Sequence, residues 1–316
     1  MPQIPDILRI MRQTDAMGSA LTTIGLPVAL GIIMFGLGLS LTLGDFARVA
    51  KQPKAVIVAL ACQLVLLPAV CFGLVLAFQL PPVLAVGMMM LAASPGGTTA
   101  NLYSHLFRGD IALNITLTAV NSVVAVVTLP VITNLAIAYF DPFDGELGMQ
   151  WAKTLEVFAI VLVPVALGML VRRLWPRFAD AMDKPVRIVS VIVLVVVIAG
   201  AVASNWELLV ENVAQLAGIT IVFCLVSLAV GYLVPRWLKV GKRQAIASSF
   251  EIGIHNATLA IVIAQTVLGS MELSLPAAVY GVLMFFIAFG FGFLIRERKT
   301  AGGAVAETGP TAAAAS

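Results

Sequence analysis

Glu251 is an acidic residue deep inside an apolar run. It stands in Ser248-Ser249-Phe250-Glu251-Ile252-Gly253-Ile254-His255-Asn256-Ala257, halfway along a stretch that otherwise reads as a membrane helix. A carboxylate at mid-bilayer depth costs about 3 kcal/mol on insertion scales. Such a group faces a bundle interior, a cavity or a bound cation, and cation binding is the chemistry expected of Glu251. Taken alone, Glu251 also fits a protonated structural carboxyl. Cys62, Cys71 and Cys224 all lie in apolar runs and read as small core residues, because no CxxC or Cys/His spacing is present.

A second polar interruption strengthens the cation reading. Ala93-Ser94-Pro95-Gly96-Gly97-Thr98-Thr99-Ala100-Asn101 places proline and two glycines inside another apolar run, where they break a helix. Pro-Gly-Gly alone fits a simple kink. The two breaks fall at corresponding places in the two halves of the chain, however. Unwound backbone at membrane depth is tolerated only inside protein or against a cavity. Paired broken helices point to a transporter site on inverted repeats, where helix N-termini face anions and freed carbonyls face Na⁺. The helix after the first break carries Asn114, Thr118, Asn121 and Ser122 within a narrow arc. This stripe is expected to face the break, with Asn121 and Ser122 equally readable as helix-to-helix glue. Gln63, before Pro68, is a further mid-span polar group. Its bland reading is an interhelical hydrogen bond.

These residues need elements to position them, and the composition says which. Of 316 residues 60% are hydrophobic and 11% charged, with mean hydropathy +1.04. Soluble domains carry about 25% charge, so an all-α polytopic membrane protein is expected. Nine spans are read: 24–43, 55–78, 83–106, 111–139, 155–174, 186–204, 213–234, 244–267 and 276–295. Residues 1–17 are polar and do not read as a cleavable signal. Residues 1–20 are expected to be an extracytoplasmic segment, 21–298 the membrane unit and 299–316 a disordered cytoplasmic tail. Most of the 19 basic residues fall in alternate connections, at Arg48–Lys54, Arg108, Arg172–Arg187, Arg236–Arg243 and Arg296–Lys299. The opposite connections carry Asp141, Asp144, Glu146, Glu207, Glu211 and Glu272. The positive-inside rule then puts the N-terminus outside the cell's inner membrane and the C-terminus in the cytoplasm. The basic residues sit at helix ends, so no nucleic acid partner is expected. The lipid bilayer is the expected surrounding, and no obligate protein partner or cofactor is read.

At three stretches the chain resembles the bile acid:sodium symporter family. They are 30–39 (LGIIMFGLGL); Pro95-Gly96-Gly97-Thr98 with Asn101, Arg108-Gly109 and Ala112-Leu113; and Glu251-Ile252-Gly253-Ile254-His255-Asn256. Each is weak alone, and together they are specific. The resemblance covers nearly all of 30–295. It implies inverted repeats arranged as a core domain, with two crossing interrupted helices, and a panel domain of spans 1, 5 and 6. The chain resembles a nine-helix form in which the first repeat lacks its first helix. One sodium site is implied at Asn101, Asn114, Thr118 and Glu251, with Ala100 where relatives often carry Ser. A second is implied at Gln63, Glu251, carbonyls near Gly253, and His255, where relatives carry Gln. Imidazole nitrogen suits Na⁺ poorly. His255 therefore either weakens that site, titrates beside Glu251, or is a neutral residue bonded across the crossing. Thr98 and Asn256 are expected to touch substrate. His105, near a helix end, is expected to be interfacial.

The function implied is sodium-coupled symport of an organic anion, bile-acid-like or a small carboxylate, by alternating access. The alternative is a proton-coupled or pH-sensitive transporter of the same fold. An intramembrane enzyme is remote, because GxSxG, HExxH and paired mid-span aspartates are missing. A channel is equally remote, since the ring of charges common in pores is missing.

Overall fold

The computed structural model describes residues 26–141, 151–204 and 206–296. The expected terminal segments at 1–20 and 299–316 lie outside these residues. So do Asp144 and Glu146 in the connection after span 4.

Helix dominates the described residues. The elements are α1 (Leu26–Ser40), α2 (Leu43–Ala47), α3 (Pro53–Phe78), α4 (Pro82–Ala93), α5 (Thr99–Leu106), α6 (Ile111–Phe140), α7 (Trp151–Leu174), α8 (Pro176–Ser204), α9 (Trp206–Glu211), α10 (Val213–Trp237), α11 (Lys242–Gly253), α12 (Ala257–Thr266) and α13 (Leu275–Ile295). Among the described residues the only β-type pairing is an isolated bridge between Gly96 and His255. By length and apolarity α3, α6, α10 and α13 can each cross a membrane, and the bent pair α1–α2 makes a fifth. The halves of the broken spans are too short to cross alone. α4 and α11 have 12 residues each, about 18 Å against a hydrocarbon core of about 30 Å. The four long helices expose large apolar side chains, among them Val65, Val127, Leu135 and Phe286. Outward apolar faces of this kind suit lipid rather than water.

Local chemistry explains the departures from straight spans. α3 contains a π-helical turn at Cys62–Leu66, just before Pro68. The proline ring removes one N–H and clashes with the carbonyl four residues back, and a π turn is one way to absorb this. A bend of 64° follows α1, where Asp45 accepts from the backbone and side chain of Thr42, both at 2.7 Å. Arg48 closes the same turn on Asp45 at 2.6 Å. α8 begins ten residues before its apolar run, and Arg172 pairs with Asp180 at the α7–α8 corner.

α1 packs against α7 and α8. The α1–α7 contact is close because Gly38 and Gly168 face each other: a Cβ on either would strike the other helix's backbone. α3, α4, α5 and α6 pack with α10, α11, α12 and α13 around the two breaks. Tyr103 of α5 and Phe107 just after it lie on Phe250 of α11, with ring centroids 5.6 and 5.4 Å apart.

Candidate functional site

The two breaks cross each other and are stitched together by backbone hydrogen bonds. Gly97 N–H donates to the Ile254 carbonyl at 2.7 Å, and Asn256 N–H donates to the Pro95 carbonyl at 2.8 Å. Residues 94–98 and 254–256 thereby satisfy groups that a continuous helix would have paired internally. The C-terminal ends of α4 and α11 and the N-terminal ends of α5 and α12 meet at this point. Asn256 starts α12 by accepting from Leu259 N–H at 3.0 Å.

Glu251 sits at the crossing, fully buried. Oε2 accepts from Thr118 Oγ1 at 2.6 Å and from Asn114 Nδ2 at 2.8 Å, and Oε1 accepts from Asn121 Nδ2 at 3.3 Å. Spacings of four and three residues put these donors on one face of α6. Asn114 Oδ1 accepts in turn from Ser104 Oγ of α5 at 2.8 Å. Gly96 is required here: a Cβ on it would come within 2.3 Å of Glu251 Oε1 and 2.6 Å of the Glu251 carbonyl oxygen. None of these partners of Glu251 carries a positive charge.

A second cluster surrounds Ser94. Its carbonyl accepts from Gln63 Nε2 at 3.0 Å, and His255 Nδ1 lies 3.4 Å away. The His255 ring stacks on Phe223 at 5.4 Å and meets the edge of Tyr280 at 5.4 Å. Tyr280 donates its hydroxyl to the Gly253 carbonyl at 2.9 Å, and Cys224 Sγ also faces that carbonyl.

The expected site residues thus fall into distinct groups. Asn114, Thr118 and Glu251 come together. Asn101 stands on α5 with its Oδ1 buried and without a hydrogen-bond partner among the described residues. Gln63 and His255 meet at Ser94, and their hydrogen bonds go to that carbonyl rather than to Glu251. The Gly253 carbonyl already receives Tyr280. Thr98 is exposed beside the break and Asn256 is half-buried. His105 is exposed. Asn121 touches Glu251 although it reads equally well as helix glue. Ser104 and Tyr280 carried no signal, because a lone Ser or Tyr in an apolar span has no spacing to mark it.

The donor set suits a small hard cation. A carboxylate, the side-chain amides of Asn114 and Asn121 and the Thr118 hydroxyl offer oxygen, the preference of such ions. Gln63 Oε1, Asn101 Oδ1 and Asn121 Oδ1 are buried with no hydrogen-bond partner among the described residues, and burial without a partner is costly. Among the described residues no group of three or more His, Cys, Asp or Glu could hold a metal ion.

Comparison with known proteins bears on this geometry. Residues 27–212 match the model of the Sodium Bile acid symporter family. The chain is similar to YocS of Bacillus subtilis, described as an uncharacterized sodium-dependent transporter, at 28% identity over 81% of this chain and 78% of that one. It is 26% identical to the human ileal sodium/bile acid cotransporter over 88% of this chain and 80% of the relative. A rice chloroplastic protein, BASS2, named a probable sodium/metabolite cotransporter, is 25% identical over 81% of this chain and 60% of its own length. The chain spans about three fifths of the plant relatives it matches.

Proposed function

This chain belongs to the Sodium Bile acid symporter family, and from that premise we propose that it is a sodium-coupled secondary transporter of an organic anion, not an enzyme. The observation that carries the reading is the buried Glu251 at the crossing of two broken helices, within a set of oxygen donors. Sodium entering from outside offsets the carboxylate, draws Asn114, Thr118 and Asn101 around it, and holds the crossing together. Gln63 and His255 form a second place at Ser94. The organised crossing then presents Thr98, Asn256 and the N-terminal ends of α5 and α12 to an anion, whose charge those ends favour.

Alternating access follows if the crossing helices move as a core against a panel of α1, α7 and α8. In the inner membrane of a cell, the basic connections lie in the cytoplasm with the C-terminus. The names of the relatives support transport coupled to sodium, and the cargo class is an anion from bile-salt-like to small carboxylate.

The test is uptake into proteoliposomes of labelled organic anions, from a steroid conjugate to a short hydroxy acid, under an inward Na⁺ gradient. Accumulation above equilibrium is expected with Na⁺ and not with choline. Glu251→Gln, which keeps the shape and removes the charge, is expected to abolish it. Accumulation driven by protons alone would replace sodium with the second reading, proton coupling through His255. The observation favouring that second reading is His255 Nε2, which is buried with no hydrogen-bond partner among the described residues.

A further inference from the structure

We propose that Asn121 is a ligand of the cation at Glu251. The family resemblance does not assign it that role, and the inference rests on the sodium-coupled reading above. Asn121 is 2% exposed. Its Nδ2 donates to Glu251 Oε1 at 3.3 Å, while its Oδ1 is buried with no hydrogen-bond partner among the described residues.

A side-chain amide is planar. With its nitrogen on Oε1, its oxygen is fixed in the plane of the same amide, close to that contact. An amide oxygen buried in a protein without a hydrogen-bond partner costs its full desolvation penalty. A cation at the carboxylate satisfies that oxygen and supplies the positive charge that the partners of Glu251 lack. Gln63 and Asn101 show the same feature, an amide oxygen buried without a hydrogen-bond partner among the described residues. Asn121 therefore belongs with them.

The neighbouring hydroxyls have other duties. Ser122 Oγ donates to the Thr118 carbonyl at 2.7 Å, and Thr118 Oγ1 lies on Glu251 and on the Asn114 carbonyl. Among the described residues Oε2 takes two donors, whereas Oε1 takes only the longer contact from Asn121. The Oε1 side, with Asn121 Oδ1, is where acceptor capacity is left for a cation.

The experiment uses the full-length protein purified in detergent. Thermal unfolding is followed against Na⁺, Li⁺, K⁺ and choline chloride at constant ionic strength. The readouts are the Na⁺ concentration for half-maximal stabilisation and the Li⁺-to-Na⁺ preference. Asn121→Leu keeps the size and removes the oxygen. It is expected to raise the half-maximal Na⁺ concentration by about tenfold or more, the scale of loss when groups supporting a metal site are removed. Asn121→Thr keeps one oxygen at a new position. It is expected to give a smaller rise and a changed Li⁺-to-Na⁺ preference, which a residue that merely props Glu251 would not change. An unchanged half-maximal concentration and an unchanged ion preference in the folded variants would overturn the proposal. If Asn121→Leu does not fold, Asn121→Thr decides by the same two readouts. A wild-type protein that Na⁺ stabilises no better than choline overturns the sodium reading itself, an outcome distinct from a wild-type response that Asn121 does not affect.

Discussion

A buried carboxylate with only neutral partners is held by geometry, so its surroundings tolerate little change in volume. Gly96 shows this most directly, since a methyl group there would occupy the space of the Glu251 carboxylate. Overpacking a well-packed interior costs about 1–3 kcal/mol, less than the stability of a typical domain. Gly96→Ala is therefore expected to yield folded protein that has lost Na⁺-driven uptake, read by size-exclusion chromatography beside the transport assay. Uptake at the wild-type level would mean that the carboxylate does not need this position. His255 carries a different expectation, which belongs to the proton-coupled reading. A protonated imidazole beside the crossing adds positive charge and opposes cation entry. In that reading, lowering the pH from about 8 to about 5.5 should raise the Na⁺ concentration needed for half-maximal uptake. His255→Gln should flatten that dependence. An equal pH dependence in both proteins would leave His255 as a neutral group bonded at Ser94.

Among elements, α3 places Gln63 through a π turn rather than a regular helix. Pro68→Ala restores the missing N–H and removes the clash with the carbonyl four residues back. The π turn loses its cause and Gln63 rotates away from the Ser94 carbonyl. The expected result is a helix at least as stable as before, with a higher Na⁺ concentration for half-maximal uptake. Unaltered Na⁺ dependence would show that the π turn is incidental. The same element shows where sequence stops informing. Pro95, Gly96 and Gly97 mark the first break because each opposes helix by itself. Gly253 with Glu251, His255 and Asn256 marks the second because polar groups stand out in an apolar run. A proline such as Pro68 only states that a helix must adjust. Whether it kinks or forms a π turn depends on packing partners distant in sequence. The bend before α2 rests on Thr42 and Asp45, a helix-start pair that an apolar flank conceals. Asn121 was visible as polar, but only the folded chain shows that one end of its amide is on Glu251 and the other end is without a hydrogen-bond partner among the described residues.

For the whole molecule, the number of cations carried per anion decides how the membrane potential acts. The polar groups form two clusters, one at Glu251 with Asn114, Thr118 and Asn121, the other at Ser94 with Gln63 and His255. If each takes one Na⁺ and the cargo is a monoanion, one net positive charge enters per cycle. Each such charge gains about 2.3 kcal/mol per 100 mV, worth roughly 50-fold in the accumulation ratio, since every 1.4 kcal/mol is about tenfold. Proteoliposomes clamped at an inside-negative potential by a K⁺ gradient and valinomycin measure this directly, with the Na⁺ gradient held fixed. Accumulation that rises with potential on this scale means that both clusters carry a cation despite the imidazole at the second. Accumulation indifferent to potential means one Na⁺ per monoanion. The Ser94 cluster is then a structural clasp between α3, α4 and the second break, in which His255 closes the place that an oxygen ligand would have kept open. His255→Gln restores an amide oxygen there, and a voltage dependence acquired by that variant alone would identify the imidazole as the group that removes the second charge.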